Sequence, residues 1–543
     1  MFMKFYEYIC RCLRFYGCKQ AFGVPGSLIM PVWQHLTDLN LLLCSHEQEA
    51  AYMASGYAKA SGELTAVITT GSPGVTNCIT GIAGANMDSV PLIYISGKNQ
   101  QQLQDLGSRQ EESTQNRSFR STDLLFHLTK QSIEIADITL AAEQFRRCCE
   151  TAVSGRPGCV HVCIPLNLQS LELPPLPVVE EKTHYIGSYP EMPDCNRPLI
   201  ILGWGCRQSG ATEAVYRLAE WINAPILVTV KAYCCIKREH PFYIGKLGYG
   251  YNTALEKFLK EYNADQVLVF GSSMSYKDIS PSCKSILGRS EVHVYTLESG
   301  EVKNRFESAL THEISDLKGM LDMWLSESHV SSYDPVLSQK IADSKEEQAQ
   351  ILKKVLQKPD VMASAIDLLN TIKDNVVISA DAGNNLLNTG VLCNPEKIES
   401  IFLNDGIRSM GSSICEAAGM AIARPDKYYL AVVGDGAMLM NGNILYVAAR
   451  QNLPIAFLVM NNESLGRVRV GQKTTGQFIG SDLGNVDFTL YAKAFGIEAH
   501  RTKDVQEWFF FVKEAVSLNK PMLLELLTDK DEIPLKLKIE GIY

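Results

Sequence analysis

The chain has 543 residues, of which 46% are hydrophobic and 20% charged, and its net charge is −9. That length exceeds one core and suggests about three or four domains of ordinary size. An acidic balance with no long basic run argues against a nucleic-acid partner, and no apolar stretch reaches the length that spans a bilayer.

Met1–Gly17 places Tyr6, Ile9, Leu13 and Tyr16 at helical spacing, with Glu7, Arg11 and Arg14 among them. This predicts a first helix rather than a signal peptide. The 16 cysteines show no Cys-x-x-Cys or His-x-x-x-His spacing, so a zinc site is not expected. Without a secretion signal, a cytoplasmic location with reduced thiols is the expectation.

Phe22-Gly23-Val24-Pro25-Gly26 reads as a strand-to-loop turn. His46-Glu47-Gln48 opens a helix, with Glu47 in the first turn, where the helix dipole favours a carboxylate. A strand over Thr65–Thr69 leads into Gly71-Ser72-Pro73-Gly74-Val75-Thr76-Asn77. Further strands are predicted at Leu92–Ile95 and Cys159–Ile164, followed by a proline-rich, acidic linker over Leu171–Pro198. A second alternation runs through Leu199–Leu202, Gly203-Trp204-Gly205, Ala224–Val230, Gln266–Phe270 and Val292–Tyr295. It fades into the polar stretch Ser326–Lys358. A third block holds strands at Val376–Ser379, Tyr428–Val433, Ile455–Met460 and Met522–Leu526, and a helix at Asn443–Gln451. Alternation of this kind predicts an α/β chain of three doubly wound domains with parallel sheets, at 1–170, 190–330 and 355–543.

Within the third block, Gly434-Asp435-Gly436 ends one apolar run and Asn461-Asn462 ends the next. A βαβ crossover between them brings Asp435 and Asn462 to the carboxyl ends of neighbouring strands, where open α/β sheets hold ligands. A carboxylate and an amide oxygen suit Mg²⁺ that keeps its other positions for water and phosphate. The glycines let the backbone approach a diphosphate.

This pattern resembles the GDG…NN cofactor motif of thiamine-diphosphate enzymes. The order of the His-Glu-Gln helix start, the Gly71–Asn77 loop and Met87-Asp88-Ser89-Val90-Pro91-Leu92 resembles their acetolactate synthase-like branch. The resemblance implies a pyrimidine-binding, a central and a diphosphate-binding domain. It implies thiamine diphosphate and Mg²⁺ as cofactors, and decarboxylation of a 2-oxo acid, pyruvate first, with carboligation to a carbonyl acceptor. A sugar-nucleotide or acyl-CoA acceptor, or a catalytically silent homologue, is the alternative.

Residue by residue, the resemblance makes Glu47 the proton relay to the pyrimidine and places Gln110 near the reacting centre. It puts Pro25, Pro73, Asn77, Gly383, Asn384, Asn385, Met410, Gly434, Asp435, Gly436, Ala437, Asn462 and Ser464 around the cofactor, with Met410 as steric support. Asp435, Asn462 and the Ser464 carbonyl are the implied metal ligands. A homodimer or homotetramer is implied, because each active site is shared between subunits. Arg109 stands where relatives carry an aromatic. With Arg467 and Arg469 it suggests an anionic group on the acceptor. Gly271-Ser272-Ser273-Met274 replaces the family's FAD-contact stretch, so the resemblance leaves FAD unassigned.

Overall fold

The computed structural model describes residues 3–115, 118–175, 189–298, 300–306, 308–326, 334–372, 375–393, 400–404 and 406–542. The middle of the predicted linker and part of the polar stretch after Ser326 lie outside these residues.

The first unit contains β1 (Gln20–Val24), β2 (Asn40–Leu43), β3 (Thr65–Thr69), β4 (Leu92–Lys98), β5 (Gln131–Glu134) and β6 (Cys159–Pro165), in the order β2-β1-β3-β4-β6-β5. The second contains β7 (Pro198–Leu202), β8 (Ile226–Val228), β9 (Tyr243–Lys246), β10 (Gln266–Phe270), β11 (Glu291–Thr296) and β12 (Ala309–Glu313), in the order β12-β11-β10-β7-β8-β9. The third contains β13 (Val376–Ala380), β14 (Ser400–Leu403), β15 (Tyr428–Gly434), β16 (Ile455–Asn461), β17 (Glu498–Thr502) and β18 (Met522–Leu527), in the order β14-β13-β15-β16-β18-β17. Every ladder between these strands is parallel. Parallel pairing demands crossovers, and their helices cover both faces. That is why β3, β4, β6 and β16 are buried along their whole length and are mostly apolar, with Ser96, Lys98 and His161 among the buried polar exceptions.

β1 ends at Val24 and runs into Pro25-Gly26, the expected strand-to-loop turn. Two readings need correction. Ala224–Val230 is strand only over Ile226–Val228. Pro225 lacks an N–H for the ladder, and Val230 N donates to Asp278 Oδ1 (2.7 Å) as the chain turns into the 3₁₀ helix Val230–Cys235. The helix expected at Asn443–Gln451 covers Ile444–Arg450, and a separate helix, Asp435–Asn441, precedes it.

The first and third units meet along two helices, Glu47–Ser61 and Ser412–Ala423. The crossing depends on two glycines. A β-carbon on Gly56 would lie 2.0 Å from the Glu416 carbonyl oxygen, and one on Gly419 would lie 2.0 Å from that of Met53. Polar bonds flank the crossing: Tyr52 Oη donates to Ser409 Oγ (2.8 Å), and Ser55 Oγ to Glu416 Oε1 (3.0 Å).

Candidate cofactor site

In both outer sheets the strand order reverses beside the first strand, between β1 and β3 and between β13 and β15. Crevices at such reversals take ligands beyond the strands' carboxyl ends. The sequence-predicted residues fall at these two places.

In the first unit, Glu47 is the first residue of its helix, and His46 Nδ1 caps that helix by accepting from Gln48 N (3.1 Å). Asn77 Nδ2 donates to Glu47 Oε2 (2.9 Å), so the glutamate and the helix Pro73–Met87 are tied together. The loop that starts this helix is strained: Ser72 has φ 52° and ψ −95°. Buried Glu112 holds it there, accepting from Ser72 N (2.9 Å) and Ser121 N (3.1 Å). Gln110 also has a positive φ, and its Oε1 accepts from Thr70 Oγ1 at 3.3 Å. Pro73, Thr76 and Asn77 are exposed, while Pro25 and Glu47 are partly so.

In the third unit the groups are buried. Asp435 opens the helix at the end of β15. One of its carboxylate oxygens accepts from Gly436 N (2.8 Å) and the other from Ser464 N (3.0 Å). Asn462 Oδ1 also faces Ser464 N, at 3.2 Å. The Ser464 carbonyl accepts from Gly466 N at 2.8 Å, which leaves one lone pair. Ser464 Oγ and Leu465 N both bond the Ser481 carbonyl and brace the loop from behind. Burial pushes the Asp435 carboxyl up to about 6, and a cation beside it would favour the charged form.

Next to this cluster, Asn384 is buried with both side-chain polar atoms unpartnered. Such atoms are costly unless a ligand or water takes them. Asn385 Nδ2 donates inward, to the carbonyls of Asp381 (2.9 Å) and Val432 (3.2 Å). Gly383 has φ 119°, which only glycine tolerates. Met410 is half-buried, and its Cε would lie 3.1 Å from a β-carbon on Gly436.

The matches to known proteins follow these positions. Residues 3–118 match the N-terminal TPP binding domain of thiamine pyrophosphate enzymes, 194–306 their central domain and 381–526 their C-terminal TPP binding domain. The chain belongs to the thiamine pyrophosphate enzyme family. It is similar to the probable acetolactate synthase large subunit of Methanococcus aeolicus, at 28% identity over 94% of this chain and 89% of that one. The probable acetolactate synthase large subunit of Methanocaldococcus jannaschii is 27% identical over 98% and 93%, and the Escherichia coli isozyme 2 large subunit 28% over 97% and 96%.

Judged as a seat for the family's cofactor, the third unit fits. It offers a carboxylate, an amide oxygen and a carbonyl as hard donors for Mg²⁺, an unpartnered buried asparagine, and glycines at 383, 434 and 436 where a backbone must be approached. Two further residues matter to this geometry: Asp381, which opens the family-like loop Asp381-Ala382-Gly383-Asn384-Asn385, and Asn441, which carried no signal in the sequence. Asp381, buried at the end of β13, accepts from Gly411 N (3.0 Å), Ser413 N (3.0 Å) and Ser413 Oγ (2.8 Å) and so fixes the turn that carries Met410. Asn441 Nδ2 donates to the Met410 carbonyl at 3.2 Å.

The three arginines separate. Arg109 and Arg467 are exposed. Arg469 is buried, and its guanidinium pairs with Asp482 and Asp531 (both 3.2 Å) and lies 4.0 Å over the Phe478 ring. It is therefore committed to the protein, which corrects the expectation that it meets substrate.

Proposed function

We propose that this protein is a thiamine-diphosphate- and Mg²⁺-dependent carboligase of acetolactate synthase-like type, decarboxylating a 2-oxo acid, pyruvate first, and passing the acyl unit to a second carbonyl. The observation that carries the reading is the convergence of Asp435, Asn462 and the Ser464 carbonyl beside the unpartnered Asn384. When bound, thiamine diphosphate supplies the electron sink for loss of CO₂. In this reading Asp435, Asn462 and the Ser464 carbonyl would hold the cation, which would offset the charge of the diphosphate. Asn384, Asn385 and the backbone at Gly383, Gly434, Gly436 and Ala437 line its seat. Met410 supports it sterically. Pro25, Pro73 and Asn77 shape the opposite wall, and Gln110 faces the reacting centre. Glu47 holds and returns a proton at the pyrimidine, oriented by Asn77.

Both half-sites are open in the single chain. Leu439 and Met440, on the helix that begins at Asp435, are 51% and 59% exposed. Apolar exposure beside a half-built site supports closure by a second copy, hence a homodimer or a dimer of dimers. Arg109 and Arg467 stay as contacts for an anionic acceptor. The domain limits 1–170, 190–330 and 355–543 belong to the same reading.

The test is a screen of 2-oxo acids for CO₂ release, with thiamine diphosphate and Mg²⁺, with and without carbonyl acceptors. A C–C-coupled product from pyruvate is the expected outcome. Cofactor binding without turnover of any 2-oxo acid would instead mark a silent homologue.

A further inference from the structure

The central sheet has the strand order of dinucleotide-binding folds, reversing between β7 and β10. A dinucleotide would lie across the turns that follow those strands. The protein closes that place itself. Gly205 N donates to the Gly271 carbonyl and Gly203 N to that of Phe270, both at 2.9 Å. A β-carbon on Gly203 would lie 2.3 Å from the Gly271 carbonyl oxygen, so the two turns are in direct contact.

The groups beyond them grip another part of the chain. Trp204 Nε1 donates to the Asp88 carbonyl (3.1 Å), Gln208 Nε2 to that of Ser89 (2.5 Å) and Lys231 Nζ to that of Met87 (3.2 Å). Lys231 Nζ also pairs with Asp88 Oδ1 at 2.7 Å. These acceptors are three consecutive residues, the turn that ends the helix Pro73–Met87 of the first unit. On its other side Asp88 Oδ2 meets Lys59 Nζ (2.8 Å), which in turn meets Glu416 Oε1 (2.7 Å). One chain of charges thus crosses all three units, with Lys59, Asp88 and Glu416 largely covered and the Lys231 side chain a third exposed. Although burial alone would raise it, Lys231 and Lys59 hold the Asp88 carboxyl well below the usual carboxylate range.

The local chemistry is wrong for a dinucleotide as well. Gly203-Trp204-Gly205-Cys206-Arg207-Gln208 lacks the third glycine of the phosphate fingerprint, and the helix it opens is only 5 residues long. An acid that receives a ribose is expected after the second strand of such a fold. Here β8 leads into Thr229-Val230-Lys231, a cation already engaged by Asp88.

We infer that the crevice of the central unit is the seat of the first unit's own Met87-Asp88-Ser89 turn, and that the chain takes no flavin dinucleotide there. Lys231 and Asp88 are then positioning residues. They fix one end of the helix whose other end carries Asn77, the partner of Glu47. This inference is independent of which 2-oxo acid is used, and its readouts need no turnover.

The experiment has two arms on the full chain. In equilibrium dialysis against FAD at about 20 μM, a concentration that saturates micromolar sites, less than about a tenth of an equivalent should bind. Saturable binding of one FAD per chain overturns the inference. In hydrogen exchange, Lys231→Met should speed exchange of amides in 85–92 and 229–235 by about tenfold or more, as local opening becomes easier. Trp204→Phe, which removes one hydrogen bond and keeps an aromatic ring of smaller size, should do so by a smaller factor and guards against a misfolded first variant. Unchanged exchange in folded Lys231→Met and Trp204→Phe proteins overturns the clamp.

Discussion

The first and third units share one strand order, yet they finish it with opposite chemistry. At the end of β3 and the helix start at Glu47, the first unit leaves Pro73, Thr76 and Asn77 exposed around one carboxylate. At the ends of β13, β15 and β16, the third unit buries Asp381, Asn384, Asp435, Asn462 and Ser464. Topology sets where a ligand can lie, at the reversal of strand order. In the proposed reading the loop residues decide whether that place handles a proton or holds a cation and phosphates, and the same fold supplies two complementary half-sites.

Breaking each half separately tests that division. The largest effect is expected from Glu47→Gln. It should lower turnover by about 10²–10⁴-fold, the usual worth of a positioned acid–base group, while calorimetry finds thiamine-diphosphate affinity nearly unchanged. A parallel loss of affinity would mean that Glu47 anchors the cofactor rather than acting on its proton alone. Asp435→Ala should do the reverse. With Mg²⁺ present, cofactor affinity should fall by about 100-fold, equivalent to about 3 kcal/mol, with little change in circular dichroism. Equal affinity in variant and parent would remove Asp435 from the cation site. A smaller effect is expected from Asp381→Asn, which keeps the size but weakens acceptance from Gly411, Ser413 and the Ser413 hydroxyl. Loss of charge-assisted bonds costs about 1–3 kcal/mol, so the melting temperature should drop by several degrees. Turnover should fall more than cofactor affinity, because the displaced residue is Met410.

Much of this frame was legible in the sequence. Central strands such as β3, β10 and β16 are buried on both faces and announce themselves as apolar runs. Edge strands do not. Asn40–Leu43, Gln131–Glu134, Ala309–Glu313 and Glu498–Thr502 are partly exposed along their length and mix polar with apolar residues. Such sequences carry no strand signal of their own. Asp435, Asn462 and Glu47 were legible because each sits at a strand end or helix start with a local signature. Glu112, Asn441 and the Lys59–Asp88–Lys231 chain were not. Glu112 and Asn441 meet partners that only the folding of their own unit brings close, and the Lys59–Asp88–Lys231 chain forms only when the units pack together. Arg469 shows the converse: a cation near a site in sequence is spent on Asp482 and Asp531 once the chain folds.

Glu49 extends the comparison to the contact between the two units, and the effect expected there is the smallest. It is fully buried and lies two residues beyond Glu47. Its carboxyl accepts from Asn443 Nδ2 of the third unit (2.9 Å) and from Ser45 N (3.3 Å), and it contacts the Ser45 hydroxyl. The titratable groups facing it are the thiols of Cys44 and Cys415 and the phenol of Tyr491. Among the described residues no Lys or Arg pairs with it. Burial therefore pushes this carboxyl up to about 7. An acid with a raised folded pKa stabilises most when protonated. Its contribution is fully present below the unfolded value near 4.5 and is lost as pH rises towards 7. Glu49→Gln keeps an acceptor oxygen in place and cannot ionise. Between pH 5 and pH 7.5 the parent should lose about 1–3 kcal/mol of stability relative to the variant. Thermal unfolding of both proteins across that range reads the difference, and groups common to both, such as Asp381 and Asp435, cancel. Parallel curves would mean that Glu49 does not change its charge in this interval, and the interface between the units would then be insensitive to pH.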